Sequence, residues 1–222
     1  MASASVGKTQ GAQAGALLIG AAASQGSAVH PWVNSESLLK GPESARNLAD
    51  LLHFLCTLHG RYPGIVDHAG LRVTDPAVRT WLSQAAYAFA GERAFLAKLA
   101  VAAGPVPSTP GAPGSDAAVL AQRHAIEMLA QSEREGCALG AAMAVILDWA
   151  RIRNALDSAA RRFSIEPPSY SAGDAGPIAA VADSFASTPA LQRALLFGAD
   201  QIFVQHYGLW DLLESRALAR GA

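Results

Sequence analysis

The sequence predicts an all-α protein, a single antiparallel bundle of about five helices. Three observations predict it. Hydrophobic residues make up 51% of the 222-residue chain and charged residues 16%, and much of the apolar share is alanine, which favours helix over strand. Apolar residues recur at intervals of three and four through five long segments. Prolines stand at the joints between those segments, where a helix tolerates them at its start or is stopped by them. The bundle domain is expected to span residues 30–222. Residues 1–29, rich in Ala, Gly, Ser and Gln, read as a disordered tail.

Each segment has its own start and stop signals. After a lead-in at His30-Pro31-Trp32, Pro42 precedes a first helix striped by Leu48, Leu51, Leu52, Leu55, Leu58 and Tyr62 and stopped by Tyr62-Pro63-Gly64. Residues 65–74 read as a connector. Asp75-Pro76 pairs an N-cap with proline at the first helical position, opening a second helix with Val78, Leu82, Phe89, Leu96 and Ala100 on its inner face. Gly104-Pro105 ends it. Residues 106–114 form a Pro/Gly-rich loop, a linker or a lid. The third helix starts at Ser115 or Asp116 and carries Val119 and Ile126. A turn is expected between Glu133 and Cys137, with Gly136 as the breaker. The fourth helix runs to about Phe163, with Leu139, Met143, Ile146 and Leu156 inward. After a loop and a helical turn at 178–185, Thr188-Pro189 opens the last helix, striped by Leu191, Leu195, Ile202, Leu209 and Leu213.

Composition narrows the function classes. A formal net charge of -1 and the absence of a basic stripe argue against nucleic acid as a partner. The longest apolar run, between Cys137 and Leu147, is shorter than the roughly 20 residues of a membrane span, so no membrane is expected and the location reads as cytoplasmic. Lys8 ahead of the apolar stretch 14–23 admits an export signal, but Gly20 interrupts it and the basic start is one residue, so the tail reading is preferred. Cys56 and Cys137 sit in apolar helical stretches as small buried thiols. Val6-Gly7-Lys8-Thr9 lacks the earlier glycine and the strand of a phosphate-binding loop and is rejected.

The chemistry-bearing candidates are polar residues that rotate onto apolar faces. His59 shares the face of Leu48, Leu52 and Leu55. His206 falls between Ile202, Leu209 and Leu213. Arg93 falls between Phe89 and Leu96, with Glu92 at its margin. An inward arginine needs a carboxylate or a ligand anion beside it. These four, with Gln205, are the candidate ligand-binding set, a polar pocket between helices. No catalytic residue can be named, no cofactor is implied, and no metal site is assigned. His124 and Glu127 have the three-residue spacing of a bundle metal pair, but they face away from Ile126 and read as a solvated stripe. Asp67-His68 reads as a local turn or cap. Asp148-Trp149, Asp200, Asp211 and Glu214 read as outer-face residues.

Two segments carry a resemblance. One is Leu58 to Ala69, LHGRYPGIVDHA. The other runs from Leu99 to Gly111 and on through Ala121 to Ser132, AQRHAIEMLAQS, to Gly140. Together they resemble an uncharacterised all-helical family, a domain of unknown function from alphaproteobacteria. The resemblance implies a bacterial protein of cytoplasmic type over most of the chain from His30 onward, and brings no activity, cofactor or catalytic residue. The leading functional expectation is therefore a small-molecule or cofactor-binding bundle. A non-catalytic interaction protein acting as a homodimer is the alternative. A ferritin-like or haem-oxygenase-like metal protein is a third reading, by analogy of fold alone.

Overall fold

Side chains next to the helix ends decide where the helices start. In this computed structural model, which describes residues 14–170 and 173–221, the Asp75 carboxylate accepts from the Ala77 and Val78 amides at 2.8 and 3.0 Å. That satisfies two of the four free N–H groups at a helix start. Pro76 opens the helix behind it, which runs Pro76–Ala103. Asp67 reaches back to the Gly64 amide at 2.8 Å and fixes the start of a helix at Ile65–Arg72. The segment expected as a connector is thus helical, because a carboxylate three residues into it holds the entering chain.

The described residues contain nine α-helices and no strand. They are α1 (Ala14–Ser24), α2 (Glu36–Leu39), α3 (Ser44–His59), α4 (Ile65–Arg72), α5 (Pro76–Ala103), α6 (Ala112–Ala130), α7 (Cys137–Arg162), α8 (Ala175–Phe185) and α9 (Pro189–Gly221). The all-helical class stands, and α3, α5, α6, α7 and α9 are the five long segments read from the sequence. The count of about five is corrected by α1, α2, α4 and α8, which are short or poorly striped. The chain does turn at Gly136, whose φ of 93° lies in the region that glycine enters without a Cβ penalty.

The disordered tail is corrected from Ala14 onward; positions 1–13 lie outside the described residues. Helix α1 packs on α8 at the distance of small residues. The Gly15 amide donates to Asp183 at 2.7 Å, and a Cβ on Gly15 would stand 2.5 Å from the Ala179 carbonyl oxygen. Leu18 is fully buried. Beyond α1, a 3-10 turn at Gly26–Ala28 buries Ser27.

Helix α7 runs through the middle. Every residue from Cys137 to Ile146 is buried, and its most extensive contact is with α9. Two glycines make that contact close. A Cβ on Gly140 would lie 1.8 Å from the Leu195 carbonyl oxygen, and one on Gly198 would lie 2.0 Å from that of Cys137. Among the described residues no helix is long and apolar enough to cross a membrane.

Candidate functional site

The two histidines singled out by the helical stripe meet. Helix α3 ends on His59 and α9 carries His206, and their Nε2 atoms are 2.9 Å apart in a region closed to water. Phe89 and Trp149 stand edge-on to the His59 ring, with centroids 6.4 and 5.7 Å away. The contact continues inward. His206 Nδ1 lies 2.6 Å from Asp148 Oδ2. The same oxygen takes the Ser27 hydroxyl at 2.6 Å, Oδ1 takes the Ser27 amide at 3.1 Å, and Trp210 Nε1 donates to the Ser27 hydroxyl at 2.8 Å.

The direction of each bond follows from the carboxylate, which accepts only. His206 therefore donates from Nδ1. One proton lies between the two Nε2 atoms. Burial first, then the neighbouring His206 and Arg93, hold the His59 pKa well below 6.5. The ring at the outer end of the chain is thus a neutral imidazole.

Glu92 and Arg93, neighbours in α5, part to opposite sides. Arg93 Nη1 is 2.9 Å from Asp67 Oδ2, the carboxylate an inward arginine requires. Its guanidinium also lies 5.5 Å from the Tyr62 ring centre and 5.6 Å from that of Phe89, a cation–π distance. Glu92 accepts from Trp149 Nε1 at 2.9 Å and from Arg153 Nη1 at 2.7 Å. Burial raises the Glu92 pKa against the lowering pull of Trp149 and Arg153. Arg153 also binds Asp157 at 2.7 Å and the Pro168 carbonyl, and lies over the Phe95 ring at 4.6 Å.

So the expected set is brought together in part, and not around an open space. His59 and His206 touch, Arg93 and Glu92 flank them, and Phe89 and Trp149 fill the gap. Gln205 makes no side-chain hydrogen bond to the others among the described residues. It is half-buried, and its backbone carbonyl accepts from Gln122 of α6 at 3.3 Å. Asp148 and Trp149 are corrected from outer-face residues to the centre of the network, both almost fully buried. Among the described residues no group of three or more His, Cys, Asp or Glu is placed to hold a metal ion.

The open space lies one layer outward. Where α3 ends, α4 begins and α6 passes, a cavity of about 260 Å³ opens to solvent. Arg61, Tyr62 and His68 line one side, and Arg123, Glu127 and Gln131 the other. Leu58, Ile65 and Ile126 make its apolar surface. Arg93 forms the layer beneath: a Cβ on the lining Gly64 would stand 3.5 Å from Arg93 Nη1 and 3.6 Å from Asp67 Oδ2. A larger groove, about 500 Å³, runs beside α5 between Trp81, Tyr87 and Asp174. It is shallower and carries one carboxylate and no cation.

Comparison with known proteins bears on this geometry. A family model described as a family of unknown function (DUF6975) matches residues 22–221. The chain belongs to this family. The match covers the helices from α2 to α9 and only the last turn of α1, so the family's domain includes Ser27 at one end and His206 and Trp210 at the other. No curated protein and no solved structure matches the chain.

Proposed function

We propose that the chain binds a small molecule in the cavity between α3, α4 and α6. One observation carries the reading. The cavity opens to solvent over the buried Arg93–Asp67 pair, with Leu58, Ile65 and Ile126 as its apolar surface and Arg61, His68, Arg123 and Glu127 set around it. The character of the cavity supports the reading. A concave apolar surface with a few polar groups at fixed positions is the usual form of a small-molecule site, and 260 Å³, just below the usual range, suits a small ligand.

The candidates read from the sequence serve this site from behind. Arg93 and Asp67 fix the floor, and the His59–His206–Asp148 chain fixes the end of α3 from which the wall departs. A rigid support of this kind keeps a site preformed.

Amide NMR spectra recorded against a mixture of small neutral and charged fragments test the reading. Binding fragments are expected to move signals of residues 58–68 and 123–131 together. The rim variant Gln131→Trp, at an exposed position, is expected to abolish those shifts while the spectrum stays folded. Shifts spread over the surface, or shifts that survive in the rim variant, would sink the proposal.

A homo-oligomeric interaction protein is the second reading. Phe197, Val204 and Tyr207 of α9 are exposed apolar side chains, and Phe197 and Val204, seven residues apart, share a helix face. Light scattering across a concentration range separates the readings, since a concentration-independent monomer removes this one.

A further inference from the structure

The cavity has an unbalanced charge, and we infer that its ligand is a small anion, a single carboxylate on a compact apolar or aromatic body. This rests on the binding reading above and adds the chemical class. Two arginines, Arg61 and Arg123, and the ring of His68 line the walls against one acid, Glu127.

The floor does not change that balance. Arg93 is matched by Asp67, with Nη1 at 2.9 Å and Nη2 at 3.4 Å from the two carboxylate oxygens. Both side chains are about nine-tenths buried, at 9% and 12% exposed, so the pair acts as a closed neutral unit. His59, behind it, is held neutral by burial.

Arg123 is held by the one acid of the lining: its Nε lies 3.3 Å from Glu127 Oε1, and its side chain is 25% exposed. Arg61, exposed on the facing wall, meets no second acid among the lining residues. A ligand carboxylate entering between Arg61 and Arg123 supplies the missing negative charge. Guanidinium forks match carboxylates in geometry as well as charge. Tyr62, Ile65 and Ile126 then cover the ligand's apolar body, and the volume admits about one ring rather than a nucleotide.

Three probes of one shape and different charge decide the matter: benzoate, benzamide and benzylammonium, titrated at fixed ionic strength and followed by the amide signals of residues 58–68 and 123–131. Benzoate is expected to bind at least about tenfold more tightly than benzamide, and benzylammonium to leave the signals unmoved. Arg61→Gln and Arg123→Gln are each expected to bring benzoate down toward benzamide while benzamide stays as it was. Equal binding of benzoate and benzamide, or loss of both probes equally in the arginine variants, overturns the anion assignment and leaves the binding reading standing. If neutral fragments reach the cavity and benzoate does not, the assignment is likewise overturned. If no fragment or probe reaches it, the binding reading itself fails.

Discussion

His59 and His206 share one proton across 2.9 Å between their Nε2 atoms, and His206 donates from Nδ1 to the Asp148 carboxylate on its far side. Burial holds the outer ring, His59, neutral.

Acid should weaken the fold through His59. Its folded pKa lies well below 6.5, so below pH 6.5 the unfolded chain takes up a proton that the folded chain refuses. The resulting stability is complete above pH 6.5 and declines as pH falls toward the folded value, by up to about 1.4 kcal/mol per pH unit. Glu92, with its raised pKa, contributes in the opposite sense at lower pH, so the slope is best read just below 6.5. His59→Gln keeps an N–H for His206 and removes the titration. Urea unfolding at a series of pH values should show a flatter acid limb in that variant. An unchanged limb would mean that another group carries the pH dependence.

Alanine at either close glycine should disrupt the crossing of α7 and α9. A Cβ at position 140 or 198 meets a backbone carbonyl 1.8 or 2.0 Å away, which a side-chain rotation cannot relieve. Gly140→Ala and Gly198→Ala are each expected to cost about 1–3 kcal/mol or more, the usual size of an overpacked core. Gly91→Ala, where nothing lies within reach, should be neutral or slightly stabilising, since alanine favours the helix. Denaturant midpoints of the three variants check the ordering.

Removing either member of the Glu92–Arg153 pair should be severe, because both are buried and the partner is left charged. Glu92→Gln and Arg153→Met are each expected to lose about 3–5 kcal/mol. The double variant should lose less than the sum, and a thermodynamic cycle of the four proteins measures the difference. Simple additivity would show that the two side chains do not act as a pair.

At the other end of the molecule Asp50 holds two arginines. Arg216 Nη2 is 3.0 Å from Oδ1 and Arg220 Nη1 is 2.5 Å from Oδ2, and both arginines also donate to the Thr109 hydroxyl, at 3.2 and 2.8 Å. Thr109 belongs to the Pro/Gly-rich loop, so Asp50→Asn should free that loop as well as destabilise the core by about 3–5 kcal/mol. Limited proteolysis between positions 104 and 111, set against the same digestion of Gly91→Ala, is the measurement. A loop that stays protected in Asp50→Asn would separate its order from the arginine clamp.

Legibility in the sequence followed the assumption behind the helical stripe, that one side of a helix meets water. Where that holds, as for α3 and the middle of α9, His59 and His206 stand out as single polar positions among leucines, and their burial could be read. The need of Arg93 for a carboxylate was legible for the same reason. Asp148 was missed because α7 has no outer face along much of its length, so rotating it about its axis assigns an outside that is not there. Ser27 was missed because Ala, Gly and Ser composition marks a disordered tail and a closely packed small-residue helix alike. Gly15 against Ala179 makes the second of these. The cavity was missed because its walls include a helix end and a turn. Arg61 and His68 fall outside the helical stripe of α3, and Tyr62, read as its last member, lies beyond the helix end at His59 and is exposed.

Ser27, Asp148 and His206 come from three distant parts of the chain, and Trp210 closes the set. During synthesis Ser27 therefore stays unpaired until Asp148 has followed it, and Asp148 lacks its imidazole until His206 follows in turn. Helices form within microseconds of release, but contacts between distant segments are the slow ones. The innermost polar chain is then among the last parts to close: a chain stopped short of residue 206 lacks half of α9 and, with it, the partner that turns Asp148 from a buried charge into a keystone.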